Sequence, residues 1–267
     1  KQISKIRGVL VPVMGVFYIV VALFIVITHI NLLPGVIISI VKGAFDFEAI
    51  FGGFAGSAIM QGIKRGLFSN EAGVGSAPNA AASAGVSHPV KQGLVQMLSV
   101  YIDTIVICTA TGFMLLCSGV APGEDIAGMP YVQEAARNSL GSFGTIFITV
   151  ALFLFAFTTL IGNFYYAEMG LGYICDHTPG KKLMNVFRVV AALIVCVGAN
   201  MEFSVAWDTA DVLMGLMALI NLPVILILAK PAILCMQDYI KQKRAGKNPV
   251  FRKKDIGLKT KTDFWND

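Results

Sequence analysis

Long blocks of apolar residues constrain this chain more than any other feature. Six stretches, roughly 8–30, 46–64, 93–118, 142–172, 184–200 and 204–229, carry few charges. A helix that crosses a bilayer needs about 20 such residues at about 1.5 Å rise each. The blocks are continuous rather than alternating, so they read as spanning helices, not strands. Charged residues make up only 14% of the 267 and the mean hydropathy is +0.73, whereas a soluble domain runs at about 25% charged. That composition excludes soluble, disordered, collagenous and disulfide-scaffold classes. The expected fold is therefore all-α, a polytopic membrane helix bundle with about six spans, the fifth being short. Between the first and second blocks, Asn31 to Ala44 contains Pro34 and an apolar stripe of Val36, Ile37, Ile40 and Val41. It is too short to span and reads as a helix lying in the interface.

The net charge of +5 sits at one end. Residues 236–267 hold nine Lys/Arg and four Asp/Glu, so the rest of the chain is neutral. Such a tail is read as a solvated cytoplasmic end beside anionic lipid, not as a nucleic-acid surface. Two regions follow: a transmembrane domain over 1–235 and a basic cytoplasmic tail over 236–267. With Lys1 placed inside, 19 of the 21 basic residues fall on the inner face, and only Lys42 and Arg137 lie outside. By the positive-inside rule both ends of this chain are cytoplasmic, in a multi-pass protein of the plasma membrane. The chain starts at Lys1 with no short cleavable signal after it, which leads to the expectation that residues precede it.

The five cysteines form no CxxC pair and the three histidines are scattered, so no disulfide framework or zinc constellation is visible. An intramembrane enzyme would need a nucleophile–base pair or an HExxH motif, and a channel a repeated filter or charge ring. The sequence offers neither, and the chain is not expected to be an enzyme.

Several polar features interrupt the apolar blocks. Phe51-Gly52-Gly53-Phe54-Ala55-Gly56-Ser57 reads either as close helix packing through Gly52-xxx-Gly56 or as a broken span whose free backbone groups line a site. After Lys64 and Arg65 stop that block, Gly66 to Pro78 reads as a compact cytoplasmic hairpin, with Ser69 or Asn70 capping a new helix and Glu71 near its positive end. Gly73-Val74-Gly75 is no phosphate loop, because the Gly-Lys-Ser/Thr ending is absent. Asp103 is an acid inside an apolar span, either an ion or proton site or a partnered structural group. Asp211 sits deeper in the last block than Asp208 and is expected to be buried and partnered. Thr158 and Thr159 have two readings as well. Each hydroxyl can satisfy a carbonyl one turn back, or both, with a carbonyl freed one turn earlier, can coordinate a small hard cation such as sodium. Asn163 shares a helical face with Thr159, and its amide offers donors and acceptors to a zwitterionic ligand.

The run Gly62-Ile63-Lys64-Arg65-Gly66-Leu67-Phe68-Ser69-Asn70-Glu71-Ala72-Gly73, continuing through Gly75-Ser76-Ala77-Pro78, resembles the signature of the sodium:alanine symporter family, the alanine or glycine cation symporters. The likeness extends through His88-Pro89-Val90, Gln92-Gly93, Asp103-Thr104, Cys108 to Thr111, Phe155 to Thr159, Asp211, Gly215 to Ala218 and Asn221-Leu222. It implies the leucine-transporter-type inverted-repeat fold, with this chain as core helices five to ten and the first helices absent. It also implies sodium-coupled symport of a small neutral amino acid, alanine or glycine, by alternating access, with sodium as coupling ion, no other cofactor and a monomeric assembly. On that likeness Gly53, Phe54, Gly56, Ser57 and Asn163 contact substrate, and Phe155, Thr158 and Thr159 line the sodium site. Arg65, Gly66, Ser69, Asn70, Glu71, Gly73 and Gly75 shape a cytoplasmic gate. Asn163 departs from the Trp expected there in some members, which makes a glutamine carrier the alternative. A truncated fragment without transport of its own is the other.

Overall fold

The computed structural model describes residues 2–45, 55–71, 73–121, 123, 126, 128–175, 179–258 and 265, with side chains from Pro12 in the first helix and from Gly62 in the third. Among these residues there are helices and no strands. In chain order they are α1 (Gln2–Thr28), α2 (Leu33–Ala44), α3 (Ala55–Ser69), α4 (Ala77–Ala82) and α5 (Pro89–Tyr101). A π-helical segment, Ile102–Cys108, joins α5 to α6 (Thr109–Cys117). Then come α7 (Met129–Leu140), α8 (Ser142–Ile174), α9 (Lys181–Ala199), α10 (Phe203–Arg244) and a 3-10 turn, Lys253–Ile256.

Four of these helical runs are long and apolar enough to cross a membrane: Pro89–Cys117, Ser142–Ile174, Lys181–Ala199 and Phe203–Arg244. Taken together, α1 from Pro12 and α2 also have the length and composition of a span, but α2 is bent 102° away from α1. This count is of the described residues alone, which cover the first two expected spans only in part. The second expected span is described only from Ala55 onward. The hairpin reading after α3 needs correction. Ser69 closes α3 instead of capping a new helix, and Asn70 is in a turn. The next helix begins only at Ala77, and its N-cap, Ser76, makes no side-chain cap. Glu71 therefore does not sit at a helix start.

The chain forms two compact units, residues 1–66 with 101–163, and 67–100 with 164–267. In the first, Tyr18, Val21, Ala22 and Ile25 form one stripe of α1 at helical spacing. They pack against Ala110 and Met114 of α6, Ala136 of α7 and Ile148 of α8. Helices α7 and α8 approach so closely that a Cβ on Gly144 would lie 2.3 Å from the Ala136 carbonyl oxygen. Glycine is the only residue that fits there.

In the second unit α10 runs unbroken past position 235 to Arg244, through Pro223 and Pro231. Its 42 residues reach about 63 Å, twice a hydrocarbon core of about 30 Å. No residue of α9 or α10 is buried within the chain. Side chains such as Leu226 and Ile227 present their apolar surface outward, as a lipid- or protein-facing helix does. The tail was expected to be solvated, yet Pro249 and Phe251 are buried.

Candidate functional site

The cation-site candidates lie on α8. Thr158 is buried, and its hydroxyl donates to the carbonyls of Leu154 and Phe155, both at 3.0 Å. The helix is continuous here, so the Phe155 carbonyl is not freed by a break. It accepts a hydroxyl on top of its helical bond. With its proton engaged, Thr158 Oγ1 keeps its lone pairs for another donor or a cation. Thr159 is exposed, about 100° further round the helix, and Asn163 is exposed one turn later on the same face. The two threonines therefore look in different directions.

Tyr18 completes this neighbourhood, and sequence reasoning missed it. Its ring meets that of Phe155 edge-to-face at 6.1 Å, and its hydroxyl shares a 2.9 Å hydrogen bond with Thr111 Oγ1. The available signal was a lone phenol in an apolar block, in register with Val21, Ala22 and Ile25. Phe155, Thr158, Tyr18 and Thr111 thus come together in the first unit.

Asp103 and Thr104 lie in the π-helical segment, where the hydrogen-bond ladder widens by one residue. Thr109 Oγ1 donates to the Thr104 carbonyl at 3.2 Å, five residues back, which matches the wider register. Asp103 is half-buried, and so is Asp211 on α10; neither is fully buried as expected. Gly53 and Phe54 lie outside the described residues. Gly56 and Ser57 fall in the first turn of α3, and their side chains are not described. A cavity of about 870 Å³ between the end of α8 and the start of α9, lined by Tyr165, Glu168, Lys181 and Arg188, contains none of the expected site residues.

The signature segment is resolved as a left-handed turn held against α10. Glu71, Gly73 and Gly75 have φ of 49°, 83° and 102°. Ser76 Oγ donates to the Glu71 carboxylate, closing the turn. Asn221 Nδ2 donates to the Gly73 carbonyl at 3.0 Å. A Cβ on Gly75 would lie 2.9 Å from Asn221 Cγ. Gly75 is thus required twice, by its φ and by the approach of Asn221. Val74 between the two glycines is buried. Arg65 and Gly66 are in the last turns of α3. This arrangement is a packing device: among the described residues it brings no nucleophile or ligand cluster together.

An all-helical chain with at least four helices of membrane-spanning length and composition is a multi-pass membrane protein. The sodium:alanine symporter family model matches residues 1–253, and the chain belongs to that family. It is 46% identical over its whole length to the amino-acid carrier protein AlsT of Bacillus subtilis (strain 168), covering 56% of that protein. It is 44% identical to the probable sodium/glutamine symporter GlnT of the same organism, over 95% of this chain and 52% of the relative. To the sodium/alanine symporter AgcS of Methanococcus maripaludis it is 40% identical, over 86% of this chain and 50% of the relative. The chain spans about half the length of the curated relatives it matches.

Proposed function

We propose that this chain is the C-terminal part of a sodium-coupled symporter that carries a small neutral amino acid, alanine or glycine, across the plasma membrane by alternating access. The observation that carries the reading is the family match over residues 1–253, with relatives named as sodium symporters of alanine and glutamine. In this reading the helices are core helices five to ten of a leucine-transporter-type inverted repeat, and the transporter acts as a monomer. Both ends of the chain are cytoplasmic, as the distribution of its basic residues favours.

Sodium is the coupling ion. Phe155, Thr158 and Thr159 line its site, with Thr158 Oγ1 offering lone pairs from a buried position and the remaining ligands coming from helices outside this chain. Gly53, Phe54, Gly56, Ser57 and Asn163 contact the amino acid. Half-helix ends at the glycine stretch would complement the two termini of a zwitterion. The turn from Arg65 to Gly75, held by Asn221, shapes the cytoplasmic gate.

Glutamine is the second substrate reading. Asn163 favours it, because its exposed amide can pair with a side-chain amide, and the similarity to GlnT points the same way. Uptake of labelled alanine, glycine and glutamine by the full-length protein in proteoliposomes tests both readings. Alanine uptake should require external sodium. Uptake unchanged when choline replaces sodium refutes the coupling.

A further inference from the structure

The second unit fastens its own tail to the loop that leads into α5. The Phe251 N–H donates to the Ser87 carbonyl at 2.9 Å, and Ser87 Oγ donates to the Pro249 carbonyl at 2.9 Å. Lys91 Nζ donates to Ser87 Oγ and to Asn248 Oδ1, each at 2.7 Å. On the other side Gln242 of α10 pairs with Val250 twice: Nε2 donates to its carbonyl at 2.9 Å, and Oε1 accepts its N–H at 3.0 Å. These bonds join the end of α10 and the tail that follows it to a loop about 160 residues earlier in the chain.

His88 lies at their centre with no exposed surface. Its ring is edge-on to Tyr239 at 5.2 Å and to Phe251 at 5.3 Å. Phe251 is in turn covered by Trp265 at 5.6 Å. Both imidazole nitrogens are engaged. Nδ1 accepts the Val90 N–H at 3.2 Å, so it carries no proton, and Nε2 then donates to Asp238 Oδ2 at 3.3 Å. Asp238 also accepts from Gln242 at 2.8 Å. Among the described residues, the titratable and charged groups facing the ring are Asp238 and Tyr239 from α10 and Lys91 from α5; the tail contributes Phe251. The site is thus shaped for a neutral imidazole. A second ring proton would point at the Val90 N–H.

We propose that residues 247–251 form a proton-sensitive latch: the tail closes over neutral His88 and holds loop 87–91 to the end of α10, and protonation of His88 opens it.

Burial holds the His88 pKa below its ordinary 6.5, with Asp238 opposing that shift in part. The closed form therefore binds fewer protons than the open form at mildly acidic pH. Latch stability is fully present above pH 6.5 and is lost as pH falls toward the lowered value. The slope is at most about tenfold per pH unit for one proton.

Hydrogen exchange of the full-length protein in lipid nanodiscs, from pH 8 to pH 5 and corrected for intrinsic exchange, reads the opening without reference to transport. Protection of residues 84–91 and 245–258 should fall below pH 6.5 by up to about tenfold per unit, while α6 stays unchanged. His88→Gln should remove this slope, whether its protection is high or low throughout. Protection in the wild-type protein that is flat across the range overturns the latch, as does a wild-type slope retained in His88→Gln.

Discussion

Asn221 and Gly73, 148 positions apart in the chain, are joined by a 3.0 Å hydrogen bond from the asparagine amide to the glycine carbonyl. Two sequence blocks that resemble one family, the glycine turn and the Asn221-Leu222 pair, are thus one structural feature. The turn needs left-handed backbone, and the asparagine both satisfies its carbonyl and fills the space that a side chain on Gly75 would take.

Gly75→Ala should lower stability by about 1–3 kcal/mol, since it combines a positive φ with a contact of 2.9 Å to Asn221. Asn221→Ala should cost about 1–3 kcal/mol by stripping the Gly73 carbonyl of its partner. The two share one contact, so the double variant should lose less than the sum of the singles. Thermal unfolding of the purified protein measures all three. Strict additivity would disconnect the two residues.

Gly144→Ala should be more damaging, by about 3 kcal/mol. The added methyl meets backbone at 2.3 Å, not the movable end of a side chain. Helix α7 must shift off α8, which also stretches the 2.9 Å bond from Gln133 to Thr149. A lowered melting temperature with faster exchange across 129–149 is the expected signature. Wild-type stability would show that the two helices separate freely.

Thr158→Val separates packing from ion binding. The hydroxyl is satisfied within its own helix, so its loss should change stability by no more than about 1 kcal/mol. If Thr158 Oγ1 is a sodium ligand, the sodium concentration for half-maximal uptake should rise about tenfold or more in Thr158→Val and stay near wild type in Thr158→Ser. Equal sodium dependence in all three proteins would remove Thr158 from the site.

Asn163→Trp fills the exposed face one turn beyond Thr159 with a larger, less polar group. It should depress glutamine uptake more than glycine uptake. An equal effect on both, measured as competing uptake in proteoliposomes, would show that Asn163 does not choose between substrates.

The all-helical fold and most helix positions were legible in the sequence because the requirement is local. A block of about 20 apolar residues must satisfy its own backbone in hydrocarbon. The expected 142–172 and 184–200 appear as Ser142–Ile174 and Lys181–Ala199. The helix ends that sequence misplaced were those set by non-local contacts. Ser69 and Asn70 look like caps, but the following turn is shaped by Asn221, and α10 continues to Arg244, beyond which the tail meets Ser87.

What the sequence determined alone is the class of chain: long apolar helices with few charges inside them, and a glycine signature specific enough to assign the family. What only the tertiary structure decided is which polar groups meet. His88 with Asp238, Tyr18 with Phe155 and Thr111, and Gly73 with Asn221 are pairs 93 to 150 residues apart in number, brought together by helix packing. No periodicity encodes such meetings, because each depends on how a helix face is turned toward a neighbour, and that is settled only when the apolar surfaces pack.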